Sequence, residues 1–397
     1  MKRVTILVLD SLGIGALPDA EKYGDKGADT FGNVKKAMES QGGLKIPNLL
    51  ELGFGNIENV ANGELVHKSP KGSYGRLAEK SSGKDTITGH WELAGLYTKT
   101  PFKTYPDGFP TDFIKRFEQR IGIETLGNYA ASGTEIIEEL GSLHEKTGKP
   151  IIYTSADSVF QIAANTAIIP LEKLYGFCEI AREMLVGDIA CGRVIARPYI
   201  IENGKRVRTT GRKDYAVSPH GKTLLDNVKE AGKTVYCIGK INDLFNGQGV
   251  TVNIHTDDNA DGIDKTIEAL NMNFAGLIFV NLVDFDSKYG HRRDALGYGK
   301  CLEAFDRRLP EILAAMKEDD ALILCADHGT DPTHGGWDHT REYVPAVIYG
   351  ARIKAGIDIG TRASFADVGA TAADMLEVAS SAETGESFRD ELIDLRG

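Results

Sequence analysis

The sequence predicts an α/β fold, with a central, mostly parallel sheet flanked by helices and a smaller α+β domain inserted into it. Three observations carry this expectation. Short apolar runs rich in β-branched residues alternate with helical patterns. These runs are continuous instead of alternating, as in strands covered on both faces. The alternation then breaks from about Tyr97 to Pro219, where the character of the chain changes. A length of 397 residues suits two domains.

The first run, Val4 to Leu9, follows Lys2 and Arg3 and begins like a signal peptide. It ends at Asp10 with no small-residue cleavage site after it, so a first strand is expected. Further strands are expected at Thr234 to Ile238, Gly276 to Val283, Ala321 to Ala326 and Val344 to Tyr349. Helical patterns lie between them at Gly221 to Ala231, Ile263 to Leu270, Tyr298 to Met316 and Phe365 to Leu376. The middle offers strands at Pro150 to Thr154 and Arg193 to Ile201, and helices at Gly133 to Leu140 and Leu171 to Met184. Polar stretches, YTKTPFKTYPDG and GRKDYAVSPHG, flank it. The expected division is a core of residues 1–97 and 218–397, with 98–217 inserted.

Composition narrows the function. A net charge of −11 argues against a nucleic-acid partner. An anionic small substrate stays open, because metal ions or arginines invert the field within one cleft. No apolar run is long enough to span a membrane. Five scattered cysteines without a CxxC pair read as reduced packing residues of a cytoplasmic protein. Nothing in the sequence calls for an obligate protein partner.

Three expected strands end in metal-ligand residues: LVLDS at Asp10, NLVDFD at Asp286, and ILCADHG at Asp327 and His328. Open α/β sheets bind ligands beyond the carboxyl ends of their strands, so these ends suggest one site. His291 follows Asp286 by five residues and His339 follows His328 by eleven. Carboxylates with imidazoles and no clustered thiols suit Mn²⁺, Mg²⁺ or Zn²⁺. Asp10, Asp286, His291, Asp327, His328 and His339 are too many for one ion and divide into two sets of three. Two ions roughly 3.5–4 Å apart clamp the entering and leaving oxygens of a phosphoryl displacement. Adjacent Asp327 and His328 at one strand end should point in opposite directions, serving two ions or one from different sides. His334 reads equally as a loop residue or as a support behind the metal ligands, and His67 and His144 as surface residues.

The stretch SSGKDTITGHWE from Ser81 precedes an expected helix start at Thr88 to His90. Thr86 could present its hydroxyl to phosphorus, with Lys84 or His90 beside a bound phosphate. A threonine before a helix is more commonly a cap, and Thr88 is the better cap candidate. The segment alone leaves both roles open.

The motifs GKDTITGHWE, VLDSLGIG, PDA, NLVDFDSKYGHRRD and ADHGTDP followed by DHTREYVP resemble those of the phosphopentomutases, in the alkaline phosphatase-like superfamily. SADSVFQIAA and GRVIARP extend the resemblance through the middle of the chain. It implies interconversion of (deoxy)ribose 1-phosphate and 5-phosphate through phosphorylated Thr86 and a 1,5-bisphosphate. It implies two Mn²⁺ ions, one on Asp10, Asp327 and His328, the other on Asp286, His291 and His339. A bisphosphorylated sugar would prime Thr86. The middle becomes a cap whose Ser155, Asp157, Arg193 and Arg208 contact the sugar phosphate, with Lys240 from the core. Trp337 departs from the smaller residue expected before DHTRE. The alternatives are a metal-dependent phosphoglycerate mutase, a phosphatase of the same superfamily, or a protein that only binds a sugar phosphate. The first usually carries serine at position 86, and the second needs no large cap with its own phosphate clamp.

Overall fold

The computed structural model describes residues 1–155, 158–380 and 385–393. The chain divides into two compact units, Met1–Pro101 with Pro219–Gly397, and Phe102–Ser218. The first unit opens with strands β1 (Arg3–Leu9) and β2 (Ser73–Leu77). The second holds β3 (Leu126–Ala130), β4 (Ile151–Thr154), β5 (Val159–Asn165), β6 (Arg193–Glu202), β7 (Lys205–Arg208) and β8 (Lys213–Ala216). The chain then returns through β9 (Thr234–Ile238), β10 (Val252–Ile254), β11 (Gly276–Leu282), β12 (Asp320–Cys325), β13 (Val344–Tyr349) and β14 (Asp358–Arg362).

The first unit is built on an eight-stranded sheet of order β10-β9-β11-β1-β12-β13-β2-β14. Neighbours from β10 to β12 are all parallel. β13 runs against both β12 and β2, and β14 lies parallel to β2. The parallel block therefore carries the strand ends of interest. Register places Leu9 beside Leu282, and Val8 beside Cys325, so three carboxyl ends lie abreast. Every residue of β1, β11 and β12 is buried. Each fully buried aliphatic side chain contributes roughly 1.5–3 kcal/mol, which makes this block a firm base for the loops above it.

Two groups of helices cover the sheet. One comprises Thr30–Met38, Pro47–Leu52, Asn259–Asn271 and Ala295–Ala315, and the other Thr86–Leu93, Leu224–Glu230, Ile241–Leu244 and Ala366–Leu376. The helix expected from Gly221 begins at Leu224, because Thr223 and Asp226 form a reciprocal capping box there. The strands that sequence reading passed over, β2 (SYGRL), β10 (VNI) and β14 (DIGTR), are short, and none is a continuous apolar run.

The second unit has a six-stranded sheet of order β3-β4-β5-β6-β7, with β8 pairing the first residues of β6, antiparallel. Phe109, Phe113 and Phe117 set their rings edge-on to Phe160, in a core shared with helix Leu171–Met184. A smaller cluster packs Ile136 and Ile137 of helix Gly133–Thr147 on Ile151, Tyr153 and Tyr199. His144 of that helix is fully buried, which corrects its expected place at the surface. Its ring Nδ1 meets the Lys149 carbonyl at 2.7 Å and its Nε2 accepts from Asn165 N–H at 2.9 Å. All five cysteines are free, and Cys178, Cys191, Cys237 and Cys325 are buried. Among the described residues no helix is long and apolar enough to cross a membrane.

Candidate metal centre

Asp10 follows β1 directly. Its Oδ2 accepts from Asn281 Nδ2 at 2.9 Å, whereas its buried Oδ1 has no hydrogen bond among the described residues. The next residue, Ser11, adopts a left-handed backbone, φ 71°, which is unusual for a side-chain-bearing residue. That turn directs the Ser11 N–H to Asp327 Oδ1, 3.1 Å away, linking the β1 and β12 ends.

Asp286 lies in a π-helical turn, Phe285–Gly290, beyond β11. The wide turn closes a bond from His291 N–H to the Asp286 carbonyl, 3.0 Å, so residues five apart share one side. Their side chains meet, with His291 Nε2 3.2 Å from Asp286 Oδ2. His339 completes the set: its Nε2 is 3.1 Å from His291 Nε2 and 3.7 Å from Asp286 Oδ1. The exposed Trp337 contributes through its backbone, since its carbonyl lies 3.1 Å from His291 Nδ1. With the proton on Nδ1, the Nε2 lone pair faces inward.

Asp327 and His328 do not point apart. The chain leaves the strand at Cys325, so the pleat no longer governs them. His328 Nε2 lies 3.3 Å from Asp327 Oδ2 and 3.5 Å from Asp10 Oδ1. Its Nδ1 faces the Gly329 carbonyl at 3.0 Å, which again turns the Nε2 lone pair to the site. Ligand atoms of Asp286, His291 and His339 all lie within 4.8 Å of one another, as do those of Asp10, Asp286 and His328. Asp286 therefore stands in reach of both groups.

Thr86 is the first residue of helix Thr86–Leu93. The cap is Asp85, whose carboxylate accepts from Thr88 N–H at 3.1 Å and from its hydroxyl at 2.7 Å. This corrects both the helix start expected at Thr88 to His90 and the choice of Thr88 as cap. The Thr86 hydroxyl is 3.1 Å from His328 Nε2. Gly89 is what brings it there, because a Cβ would come within 2.0 Å of the Asp327 carbonyl oxygen. One position on, the buried His90 places Nδ1 2.9 Å from the Thr86 carbonyl and 3.1 Å from Asp327 Oδ2. Its Nε2 faces Asn281 Nδ2 at 3.2 Å. His90 thus ties Thr86, Asp327 and Asn281 together, and Lys84 is bound to Asp25 and Asp338 at 2.9 and 3.2 Å.

The electrostatics fit a cation site. Burial and the carboxylates of Asp327 and Asp286 push Asp10 up to about 8. Against the cost of burial, His339 and His291 hold Asp286 well below the usual carboxylate range, and His328 and His90 lower Asp327. Buried carboxylates crowd one another, an oxygen lacks a donor, and imidazole lone pairs face inward. Divalent cations satisfy all three conditions. His334 is held as a loop residue by the Gly24 carbonyl, 3.1 Å away.

Lys240 is exposed at the end of β9, and its charge lowers the pKa of Asp10, countering part of the rise. Arg193 opens β6, 3.7 Å from Asp214. Ser155 follows β4, and Asp157 lies outside the described residues. Arg208 is exposed on β7 opposite Tyr199, near the start of helix Gly133–Thr147. Sequence reading missed Asn281, Thr330, Arg341 and Glu342. Thr330 donates to Asp286 Oδ1 at 2.9 Å. Glu342 accepts from the Thr30 and Thr340 hydroxyls, each at 2.6 Å, and from Gly15 N–H. A Cβ at Gly13 would strike that carboxylate. An asparagine inside the apolar run FVNLV, and charges in DHTREYVP, were the available signals.

A family model described as the Metalloenzyme superfamily matches residues 2–380. The phosphopentomutase of Alkaliphilus metalliredigens is 57% identical over 98% of this chain and 98% of its own length. That of Acetivibrio thermocellus is 55% identical, covering 98% of this chain and 99% of its own. Among solved structures, an alkaline phosphatase superfamily protein from Vibrio parahaemolyticus is 12% identical, with a TM-score of 0.46 over 98% of this chain and 69% of its own. The family model and the two phosphopentomutase relatives agree with the α/β core and the carboxylate–imidazole cluster at the strand ends: the chain belongs to the phosphopentomutase family of the metalloenzyme superfamily, enzymes of the isomerase class.

Proposed function

We propose that this chain interconverts (deoxy)ribose 1-phosphate and (deoxy)ribose 5-phosphate, with Thr86 as the residue that carries phosphate. The observation behind this reading is the Thr86 hydroxyl, held 3.1 Å from His328 Nε2 at the rim of a buried carboxylate–imidazole cluster. Two divalent ions, Mn²⁺ in this reading, would be held by Asp10, Asp327 and His328 and by Asp286, His291 and His339, and would offset charge on the transferring oxygens.

In the first transfer the phosphoryl–oxygen bond at phosphorylated Thr86 breaks as a sugar hydroxyl bonds to phosphorus. The hydroxyl proton ends on the Thr86 oxygen, and a 1,5-bisphosphate is released from the nucleophile. After the sugar reorients, Thr86 takes the other phosphate and its proton passes to the freed sugar oxygen. A bisphosphorylated sugar primes the cycle. Residues 98–217 act as the cap, where Ser155, Asp157, Arg193 and Arg208 hold the sugar phosphate with Lys240 from the core. Guanidinium forks suit a phosphate that does not react. Exclusion of water would protect the phosphothreonine from hydrolysis. The place of work in this reading is the cytoplasm.

The test is a phosphorus NMR time course with Mn²⁺, ribose 5-phosphate and a trace of glucose 1,6-bisphosphate, repeated with Thr86→Ala. A 1-phosphate signal that rises to a fixed ratio only with Thr86 supports the reading. Accumulating inorganic phosphate assigns the site to hydrolysis instead.

A further inference from the structure

The stretch that delivers Thr86, residues 79–85, lies between β2 and the helix and has no regular structure of its own. Side chains from elsewhere fix its backbone. Glu92 accepts from the Lys80 and Ser81 N–H groups at 2.9 and 2.6 Å. The carbonyls face Arg341. Its Nη1 donates to Ser81 O and Gly83 O, each at 2.7 Å, and its Nη2 to Glu79 O at 2.9 Å. The same guanidinium binds the Glu79 carboxylate at 2.7 Å and Asp19 at 3.2 Å. It lies over the Tyr23 ring, whose hydroxyl donates to Ser82 O at 3.0 Å.

Arg341 stands two residues after His339 and its side chain is only 3% exposed. Its backbone N–H donates to Asp25 Oδ2 at 2.9 Å, and that oxygen also receives Lys84 Nζ at 2.9 Å. Lys84 reaches Asp338, the neighbour of His339, at 3.2 Å. Two cations thus tie the segment ending in Thr86 to the segment carrying His339. A charge needed only to neutralise buried Glu79 would not have to hold three backbone carbonyls as well.

We propose that Arg341 is a positioning residue whose fork, with Lys84 as a second tie, sets the Thr86 hydroxyl against the metal ligands. This rests on the reading of Thr86 as the phosphate carrier. Lysine at 341 keeps the charge beside Glu79, but a single ammonium cannot reproduce the planar fork. For Arg341→Lys the expected result is metal content and melting temperature close to wild type, with KM within about threefold. The kcat should fall about 100-fold, as a displacement of about 1 Å at the reacting group can produce. Glu79→Gln, which leaves the carbonyl ties in place, should keep kcat within about threefold.

The deciding measurement is the single-turnover rate at which a sugar bisphosphate phosphorylates Thr86, followed by intact mass. No phosphorylation in the wild type removes the carrier reading and this inference with it. A wild-type rate retained by Arg341→Lys with metal bound overturns the positioning role alone, as does a loss that merely follows metal content. Should Arg341→Lys not fold, Lys84→Gln decides. A roughly tenfold slower phosphorylation with metal retained supports the tie, and an unchanged rate overturns it.

Discussion

At the carboxyl ends of β11, β1 and β12, charged groups are buried and crowded, with Asp10 Oδ1 lacking any donor among the described residues. On the sheet of the second unit they lie nearer the surface and several are already paired: Arg193 and Arg212 with Asp214, and Arg206 with Glu145. The first arrangement is costly until cations fill it, and its three carboxylates are each braced by a neighbour, Asp10 by Asn281, Asp327 by His90 and Asp286 by Thr330. The second is cheap and adjustable. Single changes should therefore act on chemistry in one unit and on affinity in the other.

The largest effect is expected for Thr86→Ala. Removing the hydroxyl proposed to carry phosphate should lower interconversion by about 10⁴-fold or more, while bound metal stays at the wild-type level. Activity retained with metal bound would end the comparison, since the buried cluster would then have no reacting partner.

Asp286→Asn sharpens the same side. Changing residues that merely brace a ligand weakens metal binding about 10- to 100-fold, and a direct ligand costs no less. Because Asp286 is within reach of both ligand groups, elemental analysis should find less than one ion per chain. Loss of only one ion would show that Asp286 serves His291 and His339 alone.

Arg208→Ala tests the other side. A charge-assisted hydrogen bond contributes about 1.5–3 kcal/mol, so KM should rise roughly 10- to 100-fold with metal content unchanged. A fall in kcat at constant KM would mean that the arginine acts in the transfer itself and that the division between units fails.

The two regions also differed in how far sequence revealed them. Continuous apolar runs placed β1, β9, β11, β12 and β13 to within a residue, and acids beyond three of them pointed to one site. The partition of ligands was less legible. Asp327 and His328 were expected to diverge, but they converge because the chain has already left the strand. Period-two reasoning stops where pairing stops. The start of the Thr86 helix was misplaced because Asp85 competes for the cap, and an aspartate before two threonines does not show which residue turns the chain. Arg341 and Glu342 were missed because Glu79 and Thr30, which they bind, lie more than 250 residues away in sequence. Only the fold brings them together.

His144 gives the smallest and most local test. It was expected at the surface among polar neighbours, yet the helix Gly133–Thr147 turns it inward, 2.9 Å from Asn165 N–H. Burial lowers its pKa, as the neutral ring is needed to accept that bond. The folded state therefore binds fewer protons than the unfolded state below the ordinary histidine range. Its contribution to stability is complete above the unfolded value of about 6.5 and is lost as pH falls through the folded one. Thermal melts of the wild type and His144→Gln should differ in slope across that window, with the wild type losing more stability on acidification. The metal ligands are untouched, so metal content at neutral pH should match. Equal slopes would mean that His144 keeps its ring charged or exposed in solution.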